Sequence, residues 1–192
     1  MRIGQNPAKS IDKVAKPANV TIAVVTYIPF LSGYYAESLE VLKVCLGSLW
    51  ENTPQPYDLM IFDNASCEEV REYLINTHRI GQIQYLMLSE KNVGKGGAWN
   101  IIFHSAPGDI IAYADSDVQF FQGWLEKSLE VLSNFPNVGM VTARPLRTPE
   151  EFYTSTLEWA NKDQESICEQ GQFIDWEIFK EHTDSLGMSE DE

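Results

Sequence analysis

Residues 109–117 read DIIAYADSD, an apolar run closed by two carboxylates one residue apart. The Pro107-Gly108 turn before it and the β-branched, aromatic composition of residues 109–114 predict a strand, with Asp115-Ser116-Asp117 directly at its carboxyl end. In open α/β sheets, ligands bind beyond the carboxyl ends of the strands. What the DSD triplet means therefore depends on whether the rest of the chain builds such a sheet.

Working upstream, residues 20–26 (VTIAVVT) form a continuous apolar stretch of the kind buried on both faces of a parallel sheet. An aromatic loop, YIPFLSGYY at 27–35, leads into Leu39, Leu42, Cys45, Leu46, Leu49 and Trp50 at helical spacing, ended by Pro54. Residues 57–62 (YDLMIF) predict a second strand running into Asp63-Asn64-Ala65-Ser66. Ser66 and Glu69 there match a capping box opening a helix that contains Val70, Tyr73 and Leu74. Residues 83–88 (IQYLML) predict a third strand, followed by a glycine-rich loop, NVGKGG at 92–97, and a helix over 98–105.

Downstream, Trp124, Leu125, Ser128, Leu129 and Leu132 mark a helix, and residues 138–142 predict a fifth strand. Beyond 145 the alternation fades: Thr148-Pro149-Glu150-Glu151 looks like a helix start, and 176–182 a last short helix. Repeated strand-helix alternation predicts an α/β fold with a mainly parallel sheet flanked by helices. The expected organisation is an N-terminal arm over 1–19, an α/β core over 20–145 and a less regular region over 146–192.

The 192 residues carry a formal charge of −14, and residues 150–192 hold 13 of the 28 acids against only Lys162 and Lys180 as bases. Such a field repels phosphate backbones, and no basic patch overrides it, so nucleic acid is not the expected partner. A small anion would have to be met by a metal ion, backbone N–H groups or one or two placed cations. No apolar stretch approaches the roughly 18 residues of a membrane span. Cys45, Cys67 and Cys168 are odd in number and lack metal-ligand spacing, so they read as reduced thiols and the chain as cytoplasmic.

At a strand end, a turn can bring Asp115 and Asp117 toward one crevice, where they would hold a hard divalent cation, Mn2+ or Mg2+, through oxygen. Such an ion would bridge diphosphate oxygens and neutralise charge building on a departing nucleoside diphosphate. The competing reading of an isolated D-x-D is a solvated turn that caps a helix.

Taken in order, VVTY, MIFDNAS, NVGKGGAWN and GDIIAYADSD resemble the family-2 glycosyltransferases. In that family a strand ending in Asp-Asn/Asp-x-Ser precedes N-x-G-x-x-x-A-x-N and a D-x-D motif. The similarity spans about residues 20–142 and implies a Rossmann-like GT-A fold acting on a nucleoside-diphosphate sugar, UDP-linked by resemblance, with an unknown glycosyl acceptor. It implies that Thr26 and Tyr27 border the base pocket and that Asp63 accepts a hydrogen bond from base or ribose. Asp115 and Ser116 would lie at the donor, with Asp117 the principal metal ligand and Asp115 beside it. Asn92, Gly94 and Lys95 would approach the nucleotide from the facing loop, which Asn100 stabilises. The aromatic 27–35 loop departs from the shorter polar loop common in the family, and reads equally as a ring-stacking surface or a lid packed on the core.

Other motifs fall away. Gly94-Lys95-Gly96 lacks the Ser/Thr and spacing of a phosphate-binding P-loop, and no G-x-G-x-x-G follows the first strand. An inverting transfer needs a carboxylate base for the acceptor hydroxyl. Asp191 is the candidate, although it falls close behind the last helix; the alternative is that the chain is short for a complete transferase, with residues 146–192 the start of an incomplete acceptor-side region and the base beyond it. Three readings stay open: an active metal-dependent inverting glycosyltransferase, a catalytically incomplete sugar-nucleotide-binding module, and a nucleotidyltransferase. The last is disfavoured because YIPFLSGYY replaces its triphosphate-clamping loop.

Overall fold

The computed structural model describes residues 3–11, 14–54, 56–142, 150–163, 167, 171, 175–185 and 187. They fall into two compact units, Met1–Glu130 and Val131–Glu192. The first holds four strands, β1 (Val20–Thr26), β2 (Asp58–Asp63), β3 (Tyr85–Leu88) and β4 (Ile110–Asp115), all parallel in the order β3-β2-β1-β4. Between them run α1 (Ser38–Asn52), α2 (Glu68–Arg79) and α3 (Gly94–Ser105), with α4 (Trp124–Asn134) after β4.

Period-two alternation along the strands sorts side chains into two layers. Ile22 and Val24 of β1, with Leu59 and Ile61 of β2, pack against Leu42, Cys45, Leu46 and Leu49 of α1, Val70 and Leu74 of α2 and Leu125 of α4. Ala23, Met60 and Phe62 face the other way, onto Ala98 and Ile102 of α3. Each fully buried aliphatic side chain contributes roughly 1.5–3 kcal/mol. The α1/α2 face, with the larger set, therefore anchors the sheet, and within the first unit α3 packs on the opposite face.

Register then places the aspartates. Asp63 ends β2 beside Thr26, whereas Asp115 ends β4 beside Val25. Both carboxylates lie at one edge of the sheet, but alternation sends Asp63 toward the α2 face and Asp115 toward α3.

Several sequence expectations change. Residues 138–142 form no strand: Val138 and Met140 are exposed, Gly139 interrupts the run, and no described strand pairs with them. The Ser66–Glu69 capping box does not form. α2 begins one residue later than that box requires, with Cys67 at its N-cap, and Ser66 Oγ instead accepts a hydrogen bond from Ile28 N at 3.0 Å, joining the exits of β1 and β2. The glycine-rich stretch is no loop before a helix, because Gly94 itself opens α3.

In the second unit, α5 (Glu150–Ala160) and α6 (Trp176–Ser185) match the two late helices, the second three residues longer than expected. Thr148 and Pro149 of the first expected start lie outside the described residues. No helix among the described residues is long and apolar enough to cross a membrane.

Candidate functional site

At the carboxyl edge of the sheet, Val25, Tyr27, Asn64, Asn92, Gly94, Lys95, Asp115, Ser116 and Asp117 line a cleft of about 330 Å³. That volume sits at the low end of the range for small-molecule sites. Seven of the ten residues that the resemblance singled out line this one cleft; Thr26, Asp63 and Asn100 do not.

Asn64 builds one wall. It follows Asp63 and so turns to the α3 side of the sheet, where it is 3% exposed. Its Oδ1 accepts from Val93 N at 2.8 Å and its Nδ2 donates to Asn92 Oδ1 at 3.0 Å. Asn92 Oδ1 also accepts from Gly94 N at 2.8 Å. These bonds satisfy backbone donors that a helix start leaves orphaned. Gly94 takes φ +73, a left-handed conformation that side chains resist, which lets the chain turn sharply into α3. Asn100, expected to stabilise this loop, is exposed further along α3, and the bonds that hold the turn come from Asn64.

Opposite charges meet across α3 and β4. Lys95, in the first turn of α3, places Nζ 2.8 Å from Asp115 Oδ2 and 5.6 Å from the centre of the Trp99 ring. Tyr113 lies two residues before Asp115 on the same face of β4, and its hydroxyl donates to Asp115 Oδ1 at 2.8 Å. Burial holds the Tyr113 phenol well above its ordinary pKa, with the Asp115 carboxylate adding to the effect, so it stays protonated and a donor. Its ring meets Trp99 edge-on at 5.0 Å. Asp117 is exposed at the cleft.

The chain leaving Asp117 is fixed from the other face. Ser48 Oγ accepts from Phe120 N at 3.0 Å, Asn52 Nδ2 donates to Phe120 O at 3.1 Å, and Trp124 Nε1 donates to Thr53 Oγ1 at 2.8 Å. Cys45 of α1 points its thiol at Asp115 O, at 3.8 Å. Burial raises that thiol to about 11, so it stays a neutral prop beneath the turn. α1 thus holds the backbone of the acidic turn, while the Asp115 carboxylate faces α3 and Asp117 lines the cleft.

Asp63 is fully buried rather than presented to the cleft. Its carboxylate accepts from Ser66 N at 3.2 Å and stands 3.4 Å from Arg71 Nε. Burial lifts its pKa above the usual aspartate value, against the Ser66 hydrogen bonds and the Arg71 guanidinium, which pull it down. Thr26 is buried, and its hydroxyl finds no partner among the described residues. Tyr27 lines the cleft and belongs to an aromatic group in which Tyr27, Phe30 and Tyr34 each meet Tyr35 edge-on. Ile28, Leu31 and Tyr35 of that loop pack on the core while Phe30 and Tyr34 are exposed, so the loop is both packed and ring-bearing. Asp191 lies outside the described residues. Sequence reading missed Val25 and Asn64; the signal for Asn64 was its place directly after a strand end.

Among the described residues no three His, Cys, Asp or Glu side chains gather as a metal cluster. The donor set at the cleft is two carboxylates, Asp115 and Asp117. Hard oxygen donors of this kind suit Mg2+ or Mn2+, provided a bound ligand supplies the remaining oxygens.

Comparison with known proteins bears on this geometry. Glycosyl transferase family 2 matches residues 33–185. An uncharacterized glycosyltransferase of Nostoc sp. is 24% identical over 100 residues, covering 52% of this chain and 31% of that protein. Among solved structures, S. aureus TarS in complex with UDP aligns with a TM-score of 0.50 and 14% identity, over 70% of this chain and 44% of that one. Mannosyltransferase PcManGT from Pyrobaculum calidifontis, in complex with GDP-Man and Mn2+, aligns with a TM-score of 0.53 and 21% identity, over 73% and 38%. The chain thus spans less than half the length of these relatives. At such identities the structural likeness shows the shared fold, a mainly parallel sheet flanked by helices of GT-A type. The family match covers most of the chain, from the aromatic loop through α6, and on that ground the chain belongs to glycosyl transferase family 2.

Proposed function

We propose that the cleft binds a nucleoside-diphosphate sugar together with Mn2+ or Mg2+, and that the chain is the donor-binding part of a metal-dependent inverting glycosyltransferase. One observation carries this reading: Lys95, Asn92 and Gly94 from the start of α3 meet Asp115, Ser116 and Asp117 from the end of β4 at a single cleft.

Asp115 and Asp117 would hold the cation, with diphosphate oxygens completing its shell. When bound, such an ion offsets the charge that builds on the departing diphosphate. Lys95 and the N-terminal end of α3 present positive charge to the same anion. The Tyr27 ring, at the lip of the aromatic loop, suits stacking on a base. Asp63, buried against Arg71, acts here by fixing the turn through Ser66, with any contact to the nucleotide indirect. UDP is the donor nucleotide expected from the resemblance; the structural relatives carry UDP in one case and GDP-Man in another. The base for an inverting transfer is assigned to Asp191, and Asp191→Asn should abolish transfer while leaving nucleotide binding intact.

A thermal-shift screen of UDP and GDP, with and without Mn2+, tests the proposal. At ligand about 100-fold above its dissociation constant, binding adds roughly 2.7 kcal/mol of stability. Asp117→Asn should remove the metal-dependent part of the shift. An equal shift in that variant takes Asp117 out of the site. Binding without sugar transfer to any acceptor or to water would make the chain a sugar-nucleotide-binding module.

A further inference from the structure

Both oxygens of Asp115 are taken. Oδ1 accepts from Tyr113 Oη and Oδ2 from Lys95 Nζ, each at 2.8 Å. The two partners differ in how readily they leave. The Tyr113 ring packs edge-on against Trp99 at 5.0 Å and against Phe103 at 6.3 Å, so the phenol is fixed. Lys95 stands on a flexible stem with its side chain 57% exposed, and ion pairs of that exposure are weak. A divalent cation approaching Oδ2 meets the ammonium first, and like charges repel. Asp117 carries no such pairing among the described residues.

We infer that Lys95 is an exchangeable cation that couples the two ligands of the cleft. In the nucleotide-free protein it neutralises Asp115, and it yields that carboxylate to the divalent cation when a diphosphate takes the ammonium in its place. Metal and nucleotide then bind as a pair, each raising the affinity of the other by the same factor. Lys95 is thus a ligand-binding residue whose role is set by where its charge rests. The inference builds on the donor-site reading above and adds the coupling between its two ligands.

The test is calorimetric titration of the full chain with Mn2+ alone, then with Mn2+ in the presence of saturating UDP or GDP. Lys95→Met and Lys95→Gln should bind Mn2+ alone about two- to five-fold more tightly than wild type, the range that an exposed ion pair allows. In both, the enhancement of Mn2+ affinity by nucleotide should shrink, while Lys95→Arg, which keeps the charge, should behave as wild type. Unchanged or weaker Mn2+ binding in the neutral variants overturns the exchange while leaving the donor site standing. A wild type that binds neither nucleotide with Mn2+ overturns the donor-site reading and the exchange with it.

Discussion

Asn64→Ala offers the sharpest test of how the cleft is built. The side chain is buried and makes two good hydrogen bonds across 28 and 29 residues of sequence, to Asn92 Oδ1 and from Val93 N. Each such bond contributes about 1 kcal/mol net, and truncation strands the Val93 N–H and one acceptor of Asn92. The expected loss is about 2 kcal/mol. For a chain of this size, that corresponds to a fall in Tm of about 4–8 °C. The effect should also be local. Hydrogen exchange should accelerate at Val93 and in the first turn of α3 and stay slow in β1 and α1. Asn64→Asp keeps the acceptor for Val93 but sets an oxygen against Asn92 Oδ1, so it should rescue little. A Tm within about 1 °C of wild type, with protection at Val93 retained, would refute the assignment of Asn64 as the clamp.

Gly108→Ala should be strongly destabilising although Gly108 lies before the amino-terminal end of β4, at the opposite end of the strand from the cleft. A Cβ there would sit 2.8 Å from Asn19 O and Thr21 N, both backbone, and overpacking of this kind costs about 1–3 kcal/mol; an unchanged urea midpoint would contradict it. Asp63→Asn should alter the pH profile. Because the folded pKa of Asp63 is raised, the native state binds this proton more tightly than the unfolded chain, and the stability so gained is lost as pH rises through the folded value. The variant's urea midpoint relative to wild type should therefore improve as pH rises from about 4, the ordinary aspartate value; a constant or opposite difference contradicts the burial argument. Native Cys45, protonated up to about 11 and buried, should resist iodoacetamide at mildly alkaline pH and label only on unfolding, as peptide mass spectrometry would show. Fast labelling in the native protein would mean that α1 does not seal the turn.

The strands near the site were legible because their apolar runs are long and each ends in a polar turn. VTIAVVT, YDLMIF and DIIAYA all formed where expected, within a residue, and the two aspartates fell at strand ends. Residues 138–142 show the opposite case: VGMVT has strand composition, yet composition cannot supply a neighbouring ladder. Ser66–Glu69 misled for a related reason. A capping box is a local pattern, and Ser66 was claimed by Ile28, 38 residues away. Burial of Asp63 was beyond the motif as well, since period two on β2 determines its face and the motif gives only its position. By the same alternation Asn64 falls on the α3 side, a role the DNAS stretch could have disclosed had strand parity been followed past the strand end.

Anomalous diffraction from crystals grown with UDP and Mn2+ addresses the central claim most directly. A single strong manganese peak should lie within coordination distance of an Asp117 carboxylate oxygen, about 2.0–2.4 Å away, and bridge to the diphosphate. In the same crystals Lys95 Nζ should have left Asp115 Oδ2 for a phosphate oxygen. A nucleotide bound in the cleft with manganese absent from the Asp115-Ser116-Asp117 turn, or manganese bound elsewhere on the chain, would contradict the account.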